Sequence, residues 1–86
     1  MEVLKTTLNN VLKFIPDIFE DFRGQYVETY NEKLYTEAIK KMTGHEVKFV
    51  EDDISTSSKN VLRGIHGDSK TWKLIDCLYG RIYVVI

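Results

Sequence analysis

The chain has a single cysteine, Cys77, and only two histidines, His45 and His66, among its 86 residues. One cysteine cannot close an internal disulfide, which favours a reducing compartment, and we interpret Cys77 as a small buried strand residue. The histidines have no paired spacing and no cysteine cluster accompanies them, so we expect no transition-metal site. A glycine-rich phosphate loop is also missing from the sequence.

Long apolar runs and an excess of charge of either sign are lacking as well. No apolar run reaches the roughly 18 residues that a membrane-spanning helix needs. Residues 1–22 alternate polar and apolar side chains, unlike a signal peptide, so we predict a cytoplasmic protein without membrane contact. Twelve basic and 13 acidic residues give a net charge of -1, which does not indicate a nucleic-acid surface.

The chain length predicts one domain over residues 1–86. Its last six residues, RIYVVI, form a strand-like run that ends inside an apolar pattern. We therefore expect a partial domain that is interrupted at its C-terminus.

The first half of the sequence predicts strands and one helix. Short strands are expected at Glu2–Lys5 and Val11–Ile15, separated by the turn signal Asn9-Asn10. Asp17–Gly24 is interpreted as a turn that leads into a strand at Gln25–Tyr30.

The helix is expected to follow Asn31, a good N-cap, and to end at Gly44, a good C-terminal residue. Leu34, Ala38 and Met42 recur at four-residue spacing and predict its apolar face.

The second half predicts further strands, with a hairpin turn at Tyr79-Gly80. They are expected at Val47–Glu51, Asn60–Ile65, Thr71–Leu78 and Arg81–Ile86. Strands that dominate around one inserted helix indicate a mainly β fold, either a sandwich, a barrel or half of one.

Three residues of this half could carry chemistry on an anionic substrate. His66 could move a proton near neutral pH, although a single strand histidine is more often structural or merely exposed. Arg63 could bind phosphate oxygens with its planar fork, or lie solvated on an outer face. Lys73 could stabilise a developing oxyanion, pair with an acid, or face outward.

An acidic triplet precedes these residues. Glu51, Asp52 and Asp53 could bind a divalent metal, accept hydrogen bonds from a substrate, or simply be solvated.

Four segments in order resemble the dTDP-4-dehydrorhamnose 3,5-epimerase family of cupin-fold nucleotide-sugar enzymes. FRGQYVETYNE is similar to the family's Arg-Gly-Phe-Phe-x-Glu segment. FVEDDISTSSKNVLRG is similar to its Gln-Asp-Asn-x-Ser-x-Ser segment, and VLRGIHGD with WKLIDCLYGRIYVV to its Arg-Gly-Leu-His and Gly-Lys-Leu-Val strands. The resemblance implies a partial cupin-type jelly roll with one short inserted helix.

The resemblance also implies roles for individual residues. Arg23 and Glu28 match residues that hold the nucleotide diphosphate and base, and Tyr26 stands where the family has a base-stacking aromatic. Arg63 matches a substrate-binding arginine, and His66 matches the general base that removes a proton beside the 4-keto group. The lysine near the enolate oxygen is matched by Lys73. No metal or redox cofactor is implied.

The departures from the family bear on specificity and completeness. Glu51 and Asp53 replace amide residues of the family. Two substrates are therefore expected as alternatives: a dTDP-linked sugar, and a GDP-linked 4-keto hexose or heptose. Gly67 replaces a bulky neighbour of His66. The family's tyrosine acid and the acidic partner of its histidine match no residue up to Ile86.

The expected function is 3,5-epimerisation of a nucleotide-diphosphate 4-keto sugar for surface polysaccharide. The alternatives are a 3,4-ketoisomerase of the same fold and a catalytically incomplete cupin fragment that only binds the nucleotide sugar. The family also implies a homodimer that exchanges N-terminal strands, with Val3–Thr7 as the exchanged segment.

Overall fold

The structure is a computed structural model that describes residues 1–86. It divides into two compact units, residues 1–48 and 49–86, which are described in turn. All regular secondary structure lies in the first unit, as four short strands in two antiparallel sheets and one helix. The elements are β1 (Glu2–Lys5), β2 (Leu12–Ile15), β3 (Ile18–Asp21), β4 (Gly24–Val27) and α1 (Glu32–Thr43).

The first hairpin joins β1 to β2, with Glu2 opposite Ile15 and Lys5 opposite Leu12. Its connection is held at Thr6, whose hydroxyl donates to the carbonyl of Val11 at 2.8 Å. Asn10 closes the turn with a φ of 60°, a left-handed conformation that asparagine tolerates better than most residues. The two predicted strands and the Asn9-Asn10 turn between them are thus confirmed.

The second hairpin corrects the sequence prediction. Asp17–Gly24 was expected to be only a turn, but its first part forms β3, which pairs with β4. The turn itself is Phe22 and Arg23, and it is followed by Gly24 with a φ of 121°. Two of the acidic residues that suggested a turn, Glu20 and Asp21, lie on this exposed two-stranded ribbon.

The predicted strand at Gln25–Tyr30 ends early, at Val27. The chain beyond it contacts the helix instead of a neighbouring strand. The carbonyl of Thr29 accepts a hydrogen bond from the Tyr35 hydroxyl at 3.1 Å, and the ring of Tyr30 lies 5.2 Å from that of Tyr35.

The helix begins and ends as the sequence predicts. The Asn31 side chain accepts a hydrogen bond from the backbone N–H of Leu34 at 3.1 Å. Gly44 has a φ of 79°, and its N–H donates to the carbonyl of Lys40 at 2.9 Å.

The core of the first unit is small. It consists of Tyr35, Ile39 and Val47, which are 4%, 3% and 5% exposed. The predicted apolar face is wrong for Leu34, which is 45% exposed. Tyr35 and Ile39 are buried instead, because Tyr35 stacks on Phe14 of β2 and Ile39 follows it by one helical turn.

The second unit contains neither helix nor strand, so the four strand predictions that fall wholly or partly in it are wrong for this structure. They were Val47–Glu51, Asn60–Ile65, Thr71–Leu78 and Arg81–Ile86. A strand forms only when a neighbouring strand accepts its backbone hydrogen bonds, and no such pairing occurs here.

Exposure of the side chains agrees with this absence of pairing. Ile65 and Tyr83 are 99% and 93% exposed. Cys77, interpreted as buried, is exposed, and its thiol lies 3.6 Å from the carbonyl oxygens of Tyr79 and Gly80. The alternation of polar and apolar residues indicates which side chains a strand would bury. A sheet forms only when two strands pair through backbone hydrogen bonds.

The helix α1, with 12 residues, is too short to cross a lipid bilayer. The expectations of a single domain over residues 1–86 and of a jelly roll both stay predictions.

Candidate functional site

An ion pair closes the turn between β3 and β4. One carboxylate oxygen of Asp21, Oδ1, accepts the backbone N–H of Arg23 at 2.9 Å and its Nε–H at 3.2 Å. The other, Oδ2, accepts from Nε at 3.1 Å and from Nη2 at 2.5 Å. Asp21 therefore holds both the backbone and the guanidinium of Arg23.

This pairing favours the charged form of both groups. The hydrogen bonds from the Arg23 side chain, and then from its backbone, lower the pKa of Asp21. The same side-chain bond raises the pKa of Arg23. The Arg23 side chain is 77% exposed, so solvent screening leaves the pair little weight in global stability. Its main effect is to orient the guanidinium.

Aromatic side chains lie beside this ion pair. Phe19 and Tyr26 are directly opposite each other in the β3–β4 register, which places them on one face of the ribbon. They are 64% and 72% exposed, and together with Asp21 and Arg23 they border an open groove of about 520 Å³. A cation next to exposed rings suits a ligand that combines an anion with a flat aromatic group.

The turn adds one further ring contact. The guanidinium carbon of Arg23 lies 5.8 Å from the ring centroid of Phe22, within the range of a cation–π interaction. Glu28, which is also exposed, follows this hairpin just before the segment that contacts the helix.

Arg63, in the second unit, is held by the hydroxyl-rich loop that precedes it. Its Nε donates to the Ser57 hydroxyl at 2.8 Å, and its Nη2 donates to the carbonyl of Thr56 at 2.8 Å. Two groups of one loop thus fix the direction of the guanidinium, although neither is charged.

Asp68 organises the turn between His66 and Lys73. Its Oδ1 accepts the backbone N–H groups of Lys70 at 2.8 Å and Thr71 at 2.6 Å. Hydrogen bonding by the Thr71 side chain, followed by the two backbone bonds, lowers the pKa of Asp68, and the charge of Lys73 lowers it further. His66 and Lys73 are both exposed on either side of this turn.

Glu51 and Asp53 are exposed carboxylates on irregular backbone. The structure contains no group of three or more histidine, cysteine or acidic residues arranged to hold a metal ion. The two residues stay predicted substrate contacts.

The predicted site residues therefore fall into two sets. Arg23 and Tyr26 share one hairpin of the first unit, while Arg63, His66 and Lys73 lie in the second unit.

Three residues next to them were not singled out by the sequence analysis: Asp21, Ser57 and Asp68. The signals that could have found them are an acid two residues before an arginine, a hydroxyl run before an arginine, and an aspartate in a Gly-Asp-Ser turn.

Comparison with known proteins identifies the class of protein in which these residues occur. The family model described as dTDP-4-dehydrorhamnose 3,5-epimerase matches residues 5–86. This chain therefore belongs to the dTDP-4-dehydrorhamnose 3,5-epimerase family.

Individual relatives carry the same name. The dTDP-4-dehydrorhamnose 3,5-epimerase of Shigella flexneri is 40% identical over 88 residues, which cover 99% of this chain and 46% of the relative. That of Escherichia coli is 39% identical over 99% of this chain and 45% of the relative.

A more distant relative comes from Methanothermobacter thermautotrophicus, at 36% identity over 95% of this chain and 43% of its own. The chain thus spans about half the length of these curated relatives. No solved structure matches it.

Proposed function

We propose that this chain carries the nucleotide-sugar clamp and the general base of a 3,5-epimerase, an isomerase acting on a nucleotide-diphosphate 4-keto sugar. In this role Arg23, Glu28 and Arg63 bind the nucleotide sugar, and Tyr26 stacks on the base. Family membership supports the reaction class, and the names of the relatives support a dTDP-linked sugar.

The observation that carries the proposal is the geometry of the β3–β4 hairpin. Asp21 holds the guanidinium of Arg23 at the end of the same groove that Tyr26 borders. A diphosphate requires a fixed cation, and a nucleobase requires an exposed aromatic face. Both are present on one hairpin, with Arg23 in its turn and Tyr26 on the strand that follows.

The reaction follows from the acidity of carbon next to a ketone. The imidazole of His66 takes a proton from C3 or C5, and the electron pair of that C–H bond moves to the 4-keto oxygen as an enolate. The Lys73 ammonium stabilises the negative oxygen. Inversion requires a second acid on the opposite face of the same carbon, which returns a proton to that carbon and re-forms the ketone. His66 and Lys73 alone suffice for removal and return on one face, which appears as hydrogen exchange.

The acidic triplet favours a second candidate for the nucleotide. Glu51 and Asp53 offer hydrogen-bond acceptors where the family resemblance has amide side chains. Guanine presents N–H donors on its base-pairing edge, so a GDP-linked 4-keto hexose or heptose is the alternative substrate.

The same proposal includes the assembly. We infer a partial cupin-type jelly roll that dimerises by exchanging N-terminal strands, with Val3–Thr7 as the exchanged segment. The support is the family resemblance, together with a β1 whose residues are mostly exposed to solvent.

The test is solvent deuterium exchange at C3 and C5, followed by NMR. The full chain is incubated in heavy water with dTDP- and GDP-linked 4-keto sugars, and His66→Ala is run in parallel. We expect exchange with the unchanged chain and a loss of about 10²–10⁴-fold in the variant. His45→Ala is the matched control, because His45 lies beside Asn10 at the first hairpin.

Each outcome selects one function. Exchange with inversion identifies a complete epimerase, and a product with the carbonyl at C3 identifies a 3,4-ketoisomerase. Exchange without inversion shows a working base that lacks the opposing acid. Binding of the nucleotide sugar without any exchange contradicts the catalytic proposal and leaves a chain that only binds.

A further inference from the structure

We propose that Asp21 is a positioning residue that presents Arg23 to the diphosphate of the ligand. This inference rests on the proposed function, because it assigns a new residue to the same binding groove. Asp21 touches no ligand in this role and acts only through the guanidinium of Arg23.

The contacts show how much of Arg23 is fixed. Asp21 binds its backbone N–H, its Nε and its Nη2, so both ends of the arginine side chain are tied to one carboxylate. A guanidinium has five N–H donors, and this pairing leaves both of those on Nη1 and one on Nη2 for a phosphate oxygen. Asp21 thus determines which edge of Arg23 faces an incoming anion.

Exposure makes this restraint matter. The Arg23 side chain is 77% exposed and lies within the two-residue turn. Asp21 holds it by hydrogen bonds, and its guanidinium also lies near the Phe22 ring. A free arginine loses side-chain entropy when a ligand immobilises it, and a pre-ordered one does not. Loss of Asp21 should therefore weaken diphosphate binding by about two- to tenfold.

The opposing effect is the negative charge of Asp21, which repels the diphosphate. This repulsion is reduced because the carboxylate is neutralised by direct contact with Arg23 and is itself 43% exposed to water. Glu20, on the same strand, provides a measure of it. Its side chain alternates with that of Asp21 along the strand, and the ion pair of Arg23 is made with Asp21.

The experiment compares Asp21→Asn with Glu20→Gln in the full chain by titration calorimetry. Asparagine keeps the oxygen that accepts the backbone N–H of Arg23, so the turn is retained while the ion pair is lost. The probes are thymidine diphosphate and thymidine, with guanosine diphosphate and guanosine as a second set. Asp21→Asn is also made in an Arg23→Ala background.

We expect Asp21→Asn to weaken diphosphate binding about two- to tenfold and to leave nucleoside binding unchanged. Glu20→Gln should not weaken either. In the Arg23→Ala background, Asp21→Asn should have no further effect. A separate readout needs no ligand: the Nε–H resonance of Arg23 should exchange slowly with water in the unchanged chain and rapidly in Asp21→Asn.

The contrary results are distinct. Equal or tighter diphosphate binding by Asp21→Asn, equal losses for diphosphate and nucleoside, or an effect that persists without Arg23 each overturn the role of Asp21 alone. Failure of the unchanged chain to bind either diphosphate overturns the proposed function, and the positioning role for a ligand with it.

Discussion

The ring of Phe14 on β2 stacks on the ring of Tyr35 on α1, with centroids 4.5 Å apart and planes inclined by 17°. This contact joins the first hairpin to the helix. The Tyr35 hydroxyl also donates to the carbonyl of Thr29, so one side chain ties three segments together.

Tyr35→Ala should lower the free energy of unfolding by about 3–5 kcal/mol, because it removes a buried aromatic side chain. Tyr35→Phe keeps the ring and loses only the hydrogen bond, which should cost about 0.5–1.5 kcal/mol. Urea denaturation of the full chain measures both. Tyr79→Ala is the control, since Tyr79 is 98% exposed and should change little. Similar losses at both tyrosines would contradict the assigned core.

Ser57→Ala should weaken nucleotide-sugar binding by about two- to tenfold, because it removes the hydroxyl that holds Nε of Arg63. Ser55→Ala changes the same loop without touching that bond and should have little effect. Calorimetric titration with the dTDP-linked sugar separates the two variants. An equal response from both serines would show that the loop acts through its backbone, without orienting Arg63.

Lys73→Met should slow hydrogen exchange at C3 and C5 by about 10²–10³-fold, because the enolate loses its fixed positive charge. Lys70→Met removes a lysine from the neighbouring turn and should leave the rate near that of the unchanged chain. NMR in heavy water gives both rates under saturating substrate. If Lys70→Met proved as slow as Lys73→Met, general loss of positive charge would explain the effect better than a specific role.

Nζ of Lys40 and Oε1 of Glu46 form an ion pair at 2.6 Å. We expect the protein to lose a small part of its stability in acid, where this pair is broken. The hydrogen bond and charge of Lys40 lower the pKa of Glu46 below its ordinary value. The ion pair therefore contributes its full stability at pH values above the ordinary pKa of a glutamate. This contribution is lost as the pH falls through the lowered pKa of Glu46 in the folded protein.

Thermal unfolding at a series of acidic pH values should reveal this loss, and Glu46→Gln should remove that part of the pH dependence. Glu37→Gln, also on the surface of the first unit, should retain it. The change is small because both partners are exposed. A pH profile of Glu46→Gln identical to that of the unchanged chain would show that the pair does not form in solution.

Local signals predicted the first hairpin and the bounds of the helix. Asn31 and Gly44 bound the helix because each satisfies backbone groups at one helix end, a property of a few neighbouring residues. The prediction of the Asn9-Asn10 turn is confirmed because it likewise depends on a few neighbouring residues. β3 was missed because its acidic residues resemble a turn, whereas its pairing with β4 decides its conformation.

Non-local contacts explain the remaining differences. The strands expected between residues 47 and 86 require neighbouring strands to pair with. The alternation of polar and apolar residues does not identify such neighbours. Among the candidate site residues, the residue pattern indicated Arg63 and the family resemblance indicated Arg23, but the groups that hold them depend on loop geometry. Asp21 and Ser57 became visible only when the turn and the loop were folded.

The two-residue turn of the second hairpin makes its length intolerant of insertion. Side chains alternate between the faces of a strand, so one added residue after Asp21 would shift the register. Tyr26 would then leave the face of Phe19, and the spacing of Asp21 and Arg23 would be lost in the same step. We therefore expect insertions in the loop between β1 and β2 to be tolerated. An insertion in the turn between β3 and β4 should abolish binding of the nucleotide sugar.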